Sequence, residues 1–205
     1  MSSYEKINLI DLNLFISKLE SIDNKKICKE INDFSGDIPY VKDPSPAHSF
    51  YEDRKYPFEK EECKKLFFAI QSKVTEILKK PMEITSIWTL SLENGQSVSA
   101  HTHKVNSQIN PEEYYSISYY VNAPKNSADL IFSTNYCNTI ENTTSISPQD
   151  GMLVVFNSYI SHMTNRHYNI EPRIVVSANL SPSNFIPKVR PDWSSYNIPL
   201  NYVSM

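Results

Sequence analysis

The pattern of apolar positions changes near Pro81. Before it, apolar residues recur every three or four positions; after it, short β-branched and aromatic runs alternate with turn residues. Leu12, Phe15, Ile16, Leu19 and Ile22 stand at helical spacing behind Asp11, a residue suited to an N-cap, and predict a helix over 11–22. Ile27, Ile31 and Phe34 predict a second, short helix. The clearest helical stretch lies between Pro57 and Pro81, where Cys63, Leu66, Phe67, Ile70, Val74, Ile77 and Leu78 share one face and Lys and Glu occupy the other. Such a face needs a sheet to lie against. Downstream, strands are predicted over 84–92, 97–105, 114–121, 130–133, 152–156 and 173–180, with turns at Glu93-Asn94-Gly95 and Pro148-Gln149-Asp150-Gly151. The expected class is α+β, mainly β: a sandwich or closed double sheet with N-terminal helices over one face.

Composition fits one domain. The 205 residues, 40% hydrophobic and 21% charged, can bury a single sizeable core. Its parts are a helical region 1–81, a β core 82–180 and a C-terminal arm 181–205 rich in Pro, Tyr, Ser and Asn. The arm lies on the barrel or on a neighbouring subunit, through which an oligomer would form. A net charge of -3 provides no basic field for nucleic acid, and no stretch is apolar over the eighteen or so residues that a membrane span needs. The opening MSSYEKINLIDLNLF is acidic where a secretory leader would be basic and then apolar, so the expected location is cytoplasmic. Cys28, Cys63 and Cys137 have no CxxC spacing, which excludes a thiolate zinc site and a disulfide framework. Only three glycines, Gly36, Gly95 and Gly151, exclude glycine-rich phosphate loops and dinucleotide fingerprints.

The residues that carry chemistry are His101-Thr102-His103, His162 and Arg173. Alternate side chains of a strand share a face, so His101 and His103 project together and can bind one metal ion. His162 follows the run GMLVVFNSYIS and stands where a neighbouring strand can bring in a third ligand. Arg173 opens the next strand, and an inward-facing Arg there can hold a carboxylate through two parallel hydrogen bonds.

The order HTH, YYVN, DGMLVVFNSYISH and PRIVVSANL, within about residues 84–180, resembles the 2-oxoglutarate- and iron(II)-dependent oxygenase superfamily near its prolyl-hydroxylase branch. The resemblance implies a double-stranded β-helix, or jelly roll, with Fe(II) and 2-oxoglutarate as cofactors. It makes His101 the first ligand, places His103 at the usual acidic position and His162 as the distal ligand, and assigns the far carboxylate of 2-oxoglutarate to Arg173. Tyr120, in the run Tyr119-Tyr120-Val121-Asn122, becomes a second anchor. Molecular oxygen and a small-molecule or peptide substrate are the implied partners, with hydroxylation as the outcome. Loops 39–56, 106–113 and 135–147 are where specificity would reside.

Two departures from the family pattern stand out. His103 replaces the carboxylate of HxD, so three neutral imidazoles would leave the site one unit more positive than two imidazoles and a carboxylate. Val175 replaces a serine common two residues after the Arg, a role that falls to Ser177 or Tyr120. Two further readings stay open: a cupin-like three-histidine dioxygenase that needs no keto acid, and a metal-binding jelly roll without catalysis. Single histidines on strands are more often hydrogen-bonded than metal-bound. His48 and His167 are expected in solvated loops, His167 close enough to His162 to touch a substrate. Glu112 and Glu113 are expected as solvated charges, or as a source of the missing carboxylate.

Overall fold

The computed structural model describes residues 4–9, 12–35, 56–103, 113–136 and 140–183. The chain opens with an antiparallel hairpin of β1 (Tyr4–Leu9) and β2 (Leu12–Lys18). The helix expected over 11–22 is therefore a strand. Leu14 and Ile16 join one core while Phe15 and Leu19 join another, so β2 is covered on both faces. A strand buried on both sides reads as a continuous apolar run, which periodicity alone does not separate from a helix.

Two helices follow, α1 (Asn24–Ser35) and α2 (Glu61–Leu78). On α2, Cys63, Leu66, Phe67, Ile70, Val74 and Ile77 are buried, as the spacing predicts. Its first turn has no cap from Lys60; Glu30 of α1 accepts instead from the backbone N–H of Cys63 at 2.8 Å and of Glu62 at 3.2 Å. A carboxylate there satisfies orphan donors and complements the helix dipole, and it ties the helices together.

The remaining strands are β3 (Met82–Leu92), β4 (Val98–His101), β5 (Tyr115–Asn122), β6 (Leu130–Tyr136), β7 (Ile140–Ile146), β8 (Met152–Asn157), β9 (Ser161–Thr164) and β10 (Arg173–Pro182). They form two antiparallel sheets, β1-β2-β8-β5-β10-β3 and β4-β9-β6-β7. Together they make a jelly roll. Strand β4 is shorter than expected, and both β7 and β9 replace what the sequence left as loop. Gly95 and Gly151, with φ of +86° and +78°, sit in the two predicted turns, where an L side chain would be strained.

The large sheet has two unlike faces. Ile117, Tyr119, Val155, Ile174, Val176 and Ala178 pack with α1 and α2 in one core. Leu14, Leu90, Tyr120, Val154, Phe156 and Val175 face the small sheet, where they meet Leu130, Phe132 and Ile146. The site opens from this second core.

Among the described residues, no helix is long and apolar enough to cross a membrane. Cys28 and Cys63 are free thiols; Cys137 lies outside the described residues. Also outside are residues 36–55, 104–112 and 184–205, and with them His48, Glu112, most of two expected specificity loops and most of the expected C-terminal arm.

Candidate metal centre

Three elements bring the histidines together. His101 ends β4 and lies directly opposite His162 of β9 in the strand register. His103 follows two residues beyond β4, where its backbone N–H donates to Ser158 O at 2.9 Å and turns the chain toward the large sheet. One ring nitrogen from each of the three lies within 4.8 Å of the others. The rings of Phe132 and Phe156 back His162, at 6.1 and 4.7 Å between centroids, and Trp88 lies 5.5 Å from His103.

Hydrogen bonds fix which nitrogen faces inward. His101 Nδ1 lies 2.8 Å from Ser99 O, and His162 Nδ1 lies 2.9 Å from Ile160 O. A carbonyl only accepts, so Nδ1 carries the proton in both neutral rings and Nε2 keeps the lone pair. His103 Nδ1 lies 2.5 Å from Asn179 Oδ1, which leads to the same tautomer. Burial lowers the pKa of His101, brings that of His103 down to about 4, and lowers that of His162 strongly; for His103 and His162 the neighbouring rings add to the effect. Three clustered neutral imidazoles form a donor set suited to a divalent transition metal.

Beside this cluster the same pocket contains Arg173, Ser118 and Ser177, walled by Trp88, Leu90, Val98, Leu130 and Val175. Arg173 is 2% exposed. Its Nη2 donates to Tyr120 Oη at 3.3 Å, and its guanidinium lies 4.9 Å from the centre of the Tyr120 ring. Nε and Nη1 are buried without a partner among the described residues. Leaving such donors unpaired costs stability, and an anionic group beside the guanidinium would supply an acceptor. Burial raises the pKa of Tyr120 and the adjacent Arg173 partly offsets this, so the phenol stays protonated.

The structure thus brings His101, His103, His162, Arg173, Tyr120 and Ser177 to one side of the large sheet. Two lesser expectations have different outcomes. His167 is fully buried rather than solvated. Its Nε2 lies 2.8 Å from Glu171 O and its Nδ1 accepts from Ala128 N–H at 3.4 Å, so its ring staples the β9–β10 connection. Glu113 is exposed, as expected of a solvated charge, and pairs with Lys80 at 3.5 Å rather than with the histidines. The sequence reading missed Asn179, Ser116 and Ser158 behind His103. Asn179 had a signal: it continues the period-two series Arg173, Val175, Ser177 as a polar residue on a covered face.

Fold and site together define a double-stranded β-helix with a histidine cluster and a buried, unsatisfied arginine at one end. Residues 86–179 match a family model described as "Putative 2OG-Fe(II) oxygenase". Over these residues the chain is similar to the 2-oxoglutarate- and Fe(II)-dependent oxygenases, whose cofactors are iron(II) and 2-oxoglutarate. Three solved structures share its fold. The epimerase SnoN of nogalamycin biosynthesis, described as non-heme and alpha-ketoglutarate-dependent, aligns at TM-score 0.67 and 11% identity, over 91% of this chain and 85% of that one. AviO1 from Streptomyces viridochromogenes Tue57 aligns at 0.61 and 13%, over 84% and 91%. HygX from Streptomyces hygroscopicus, with nickel and 2-oxoglutarate bound, aligns at 0.61 and 10%, over 84% and 83%. A search of curated proteins returns no match.

Proposed function

We propose that this oxygenase hydroxylates a C–H bond of a small-molecule or peptide substrate, with Fe(II) held by His101, His103 and His162 and 2-oxoglutarate anchored by Arg173 and Tyr120. The observation that carries the reading is the pair of orphaned nitrogens on Arg173, buried in the pocket that also contains the three histidines. Iron(II) with 2-oxoglutarate, when bound, supplies oxygen activation: the keto acid is oxidised to succinate and CO2, one oxygen atom enters succinate and the other converts C–H to C–OH.

The chain's own residues position and insulate that chemistry. The three imidazoles are neutral before a metal arrives, so binding displaces no proton from them near neutral pH. Arg173 Nε and Nη1 are free to donate to an anionic group, while Tyr120 braces the guanidinium by ring contact and hydrogen bond through Nη2. Trp88, Leu90, Val98 and Leu130 give the pocket apolar walls, and a lower local dielectric strengthens an ionic contact there. With no carboxylate ligand, the site is one unit more positive than the usual arrangement and suits a dianionic co-substrate. A small-molecule substrate has support from HygX, which was also solved with nickel, 2-oxoglutarate and hygromycin B bound. A three-histidine dioxygenase that uses no keto acid would leave Arg173 unsatisfied, and so accounts for less.

Anaerobic titration of the Fe(II)-loaded protein with 2-oxoglutarate tests the assignment. A visible metal-to-ligand charge-transfer band should grow and saturate, and His103→Ala should lose it. Absence of the band in the wild type overturns the reading.

A further inference from the structure

The three histidines are not held in the same way. His101 and His162 each use Nδ1 on a backbone carbonyl two residues earlier, Ser99 O and Ile160 O. Side-chain substitution leaves such carbonyls in place. His103, at the position where the family pattern has an acid, is held by side chains from other elements. Its Nδ1 lies 2.5 Å from Asn179 Oδ1 on β10 and 2.8 Å from Ser116 Oγ on β5. Ser116 Oγ, itself fully buried, donates to Asn179 Oδ1 at 2.8 Å and lies 2.6 Å from Ser158 Oγ. Asn179 Nδ2 in turn donates to Ser86 Oγ at 3.0 Å, which sets the amide with its oxygen toward the ring.

We infer that Asn179, supported by Ser116, is a positioning residue that makes the third ligand an imidazole: it holds His103 as the Nδ1–H tautomer with Nε2 aimed at the metal. The opposite tautomer would set a lone pair on Nδ1 against the amide oxygen, two acceptors in contact. Network satisfaction leads to the same result. Ser116 has one proton, which goes to Asn179, so it can only accept from its other neighbours; the Nδ1–H is then shared between Oδ1 and Oγ. An ionised carboxylate at 103 would have no proton to give the Asn179 amide oxygen, whereas the imidazole Nδ1–H reaches both that oxygen and the Ser116 hydroxyl. His103 is thus a built ligand rather than a remnant of a lost acid. Outer partners of this kind usually govern metal affinity by 10–100-fold.

The inference rests on the proposed three-histidine site, and Co(II) binding separates the two. Affinity is measured against a chromogenic chelator, and the solvent-exchangeable proton lines of the Co(II) protein are recorded by paramagnetic NMR. Wild type should show three such lines, one for each Nδ1–H. Asn179→Ala should bind Co(II) about 10–100-fold more weakly and lose or broaden one line, that of His103, with the other two unmoved. Asn179→Asp, which keeps the acceptor, should restore both affinity and line. Should Asn179→Ala fail to fold, Ser116→Ala gives the decision through the same line. Wild-type affinity with all three lines intact in Asn179→Ala, or in Ser116→Ala where that variant decides, overturns the inference. Wild-type affinity in His103→Ala, or no Co(II) binding by the wild type, overturns the three-histidine site itself.

Discussion

The two faces of β10 are built to opposite specifications. Ile174, Val176, Ala178 and Leu180 point to the helices and complete an apolar core in which every neighbour is supplied by the chain. Arg173, Val175, Ser177 and Asn179 point to the small sheet, where Asn179 orients a histidine and Arg173 has two donors without partners. One face is finished by folding. The other is finished only by what binds, and the alternation of a single strand lets both be coded in ten residues.

The sharpest way to break this comparison is to change neighbouring residues on opposite faces. Arg173→Met removes the buried cation together with its unmet donors. In the apo protein the melting temperature should rise, because replacing an unpaired buried charge by an apolar chain is stabilising. Affinity for 2-oxoglutarate should fall by at least about 100-fold, equivalent to about 3 kcal/mol or more, since the co-substrate carboxylate then lacks its charged partner. Thermal melts and the charge-transfer titration measure the two quantities separately. Loss of stability with affinity retained would mean that Arg173 is an ordinary structural residue.

Ile174→Ala, one residue along, should do the reverse. Ile174 is 1% exposed in the helix-side core, and truncating a buried Ile costs about 2–5 kcal/mol. The urea midpoint should drop accordingly while 2-oxoglutarate binds the folded protein within about twofold of wild type. A tenfold loss of affinity would show the two faces to be coupled through the strand.

Protonation should unsettle only the site face. His103 has its pKa lowered to about 4 by burial, below the 6.5 of an unfolded histidine. The unfolded chain therefore binds more protons between those values, so apo stability is complete above pH 6.5 and falls as the pH descends toward 4. Allowing for the ring's partial exposure, His103 contributes on the order of 2 kcal/mol to this loss. His162, lowered strongly for the same reason, adds in the same direction. Urea midpoints of the metal-free protein at pH 7 and pH 4.5 measure the effect, which His103→Gln should reduce. Equal pH dependence in the two proteins would exclude His103 as its source.

The contrast between the faces also explains what the sequence revealed. Helix α2 and strands β3, β5, β8 and β10 were legible because turn residues or prolines bound their apolar runs, and the histidine cluster was legible because histidines are rare here and closely spaced at 101 and 103. Strand β2 was misread because Leu12, Phe15, Ile16, Leu19 and Ile22 also fit a helical period behind Asp11, and a strand covered on both faces has no period-two signal to oppose it. Strands β7 and β9 were missed for different reasons: Ile140–Ile146 is almost wholly polar, and Ser161–Thr164 has only four residues. His167 was taken for a surface residue because nothing local reveals the carbonyl of Glu171 and the amide of Ala128 that enclose it. The network behind His103 stayed hidden for the same reason, since Ser116, Ser158 and Asn179 meet only through pairing of distant strands.

The smallest expected effect concerns the serine that the family pattern places where this chain has Val175. Val175 lies opposite Tyr120 in the register of β10 and β5, and the Tyr120 hydroxyl already accepts from Arg173 at 3.3 Å. The role expected of such a serine then falls to Tyr120, and Ser177, two residues further along, lines the pocket that contains Arg173. Tyr120→Phe removes the hydroxyl but keeps the ring against the guanidinium, and should weaken 2-oxoglutarate binding by about tenfold, the worth of one hydrogen bond to a charged group. Ser177→Ala should cost no more than about two- to threefold, because the hydroxyl is replaceable by water at the pocket margin. Keto-acid titrations of both variants rank them. If Ser177→Ala proves the more damaging, the carboxylate lies further along β10 than Arg173 alone would place it, and the polar series on the site face extends from anchor to metal without a break.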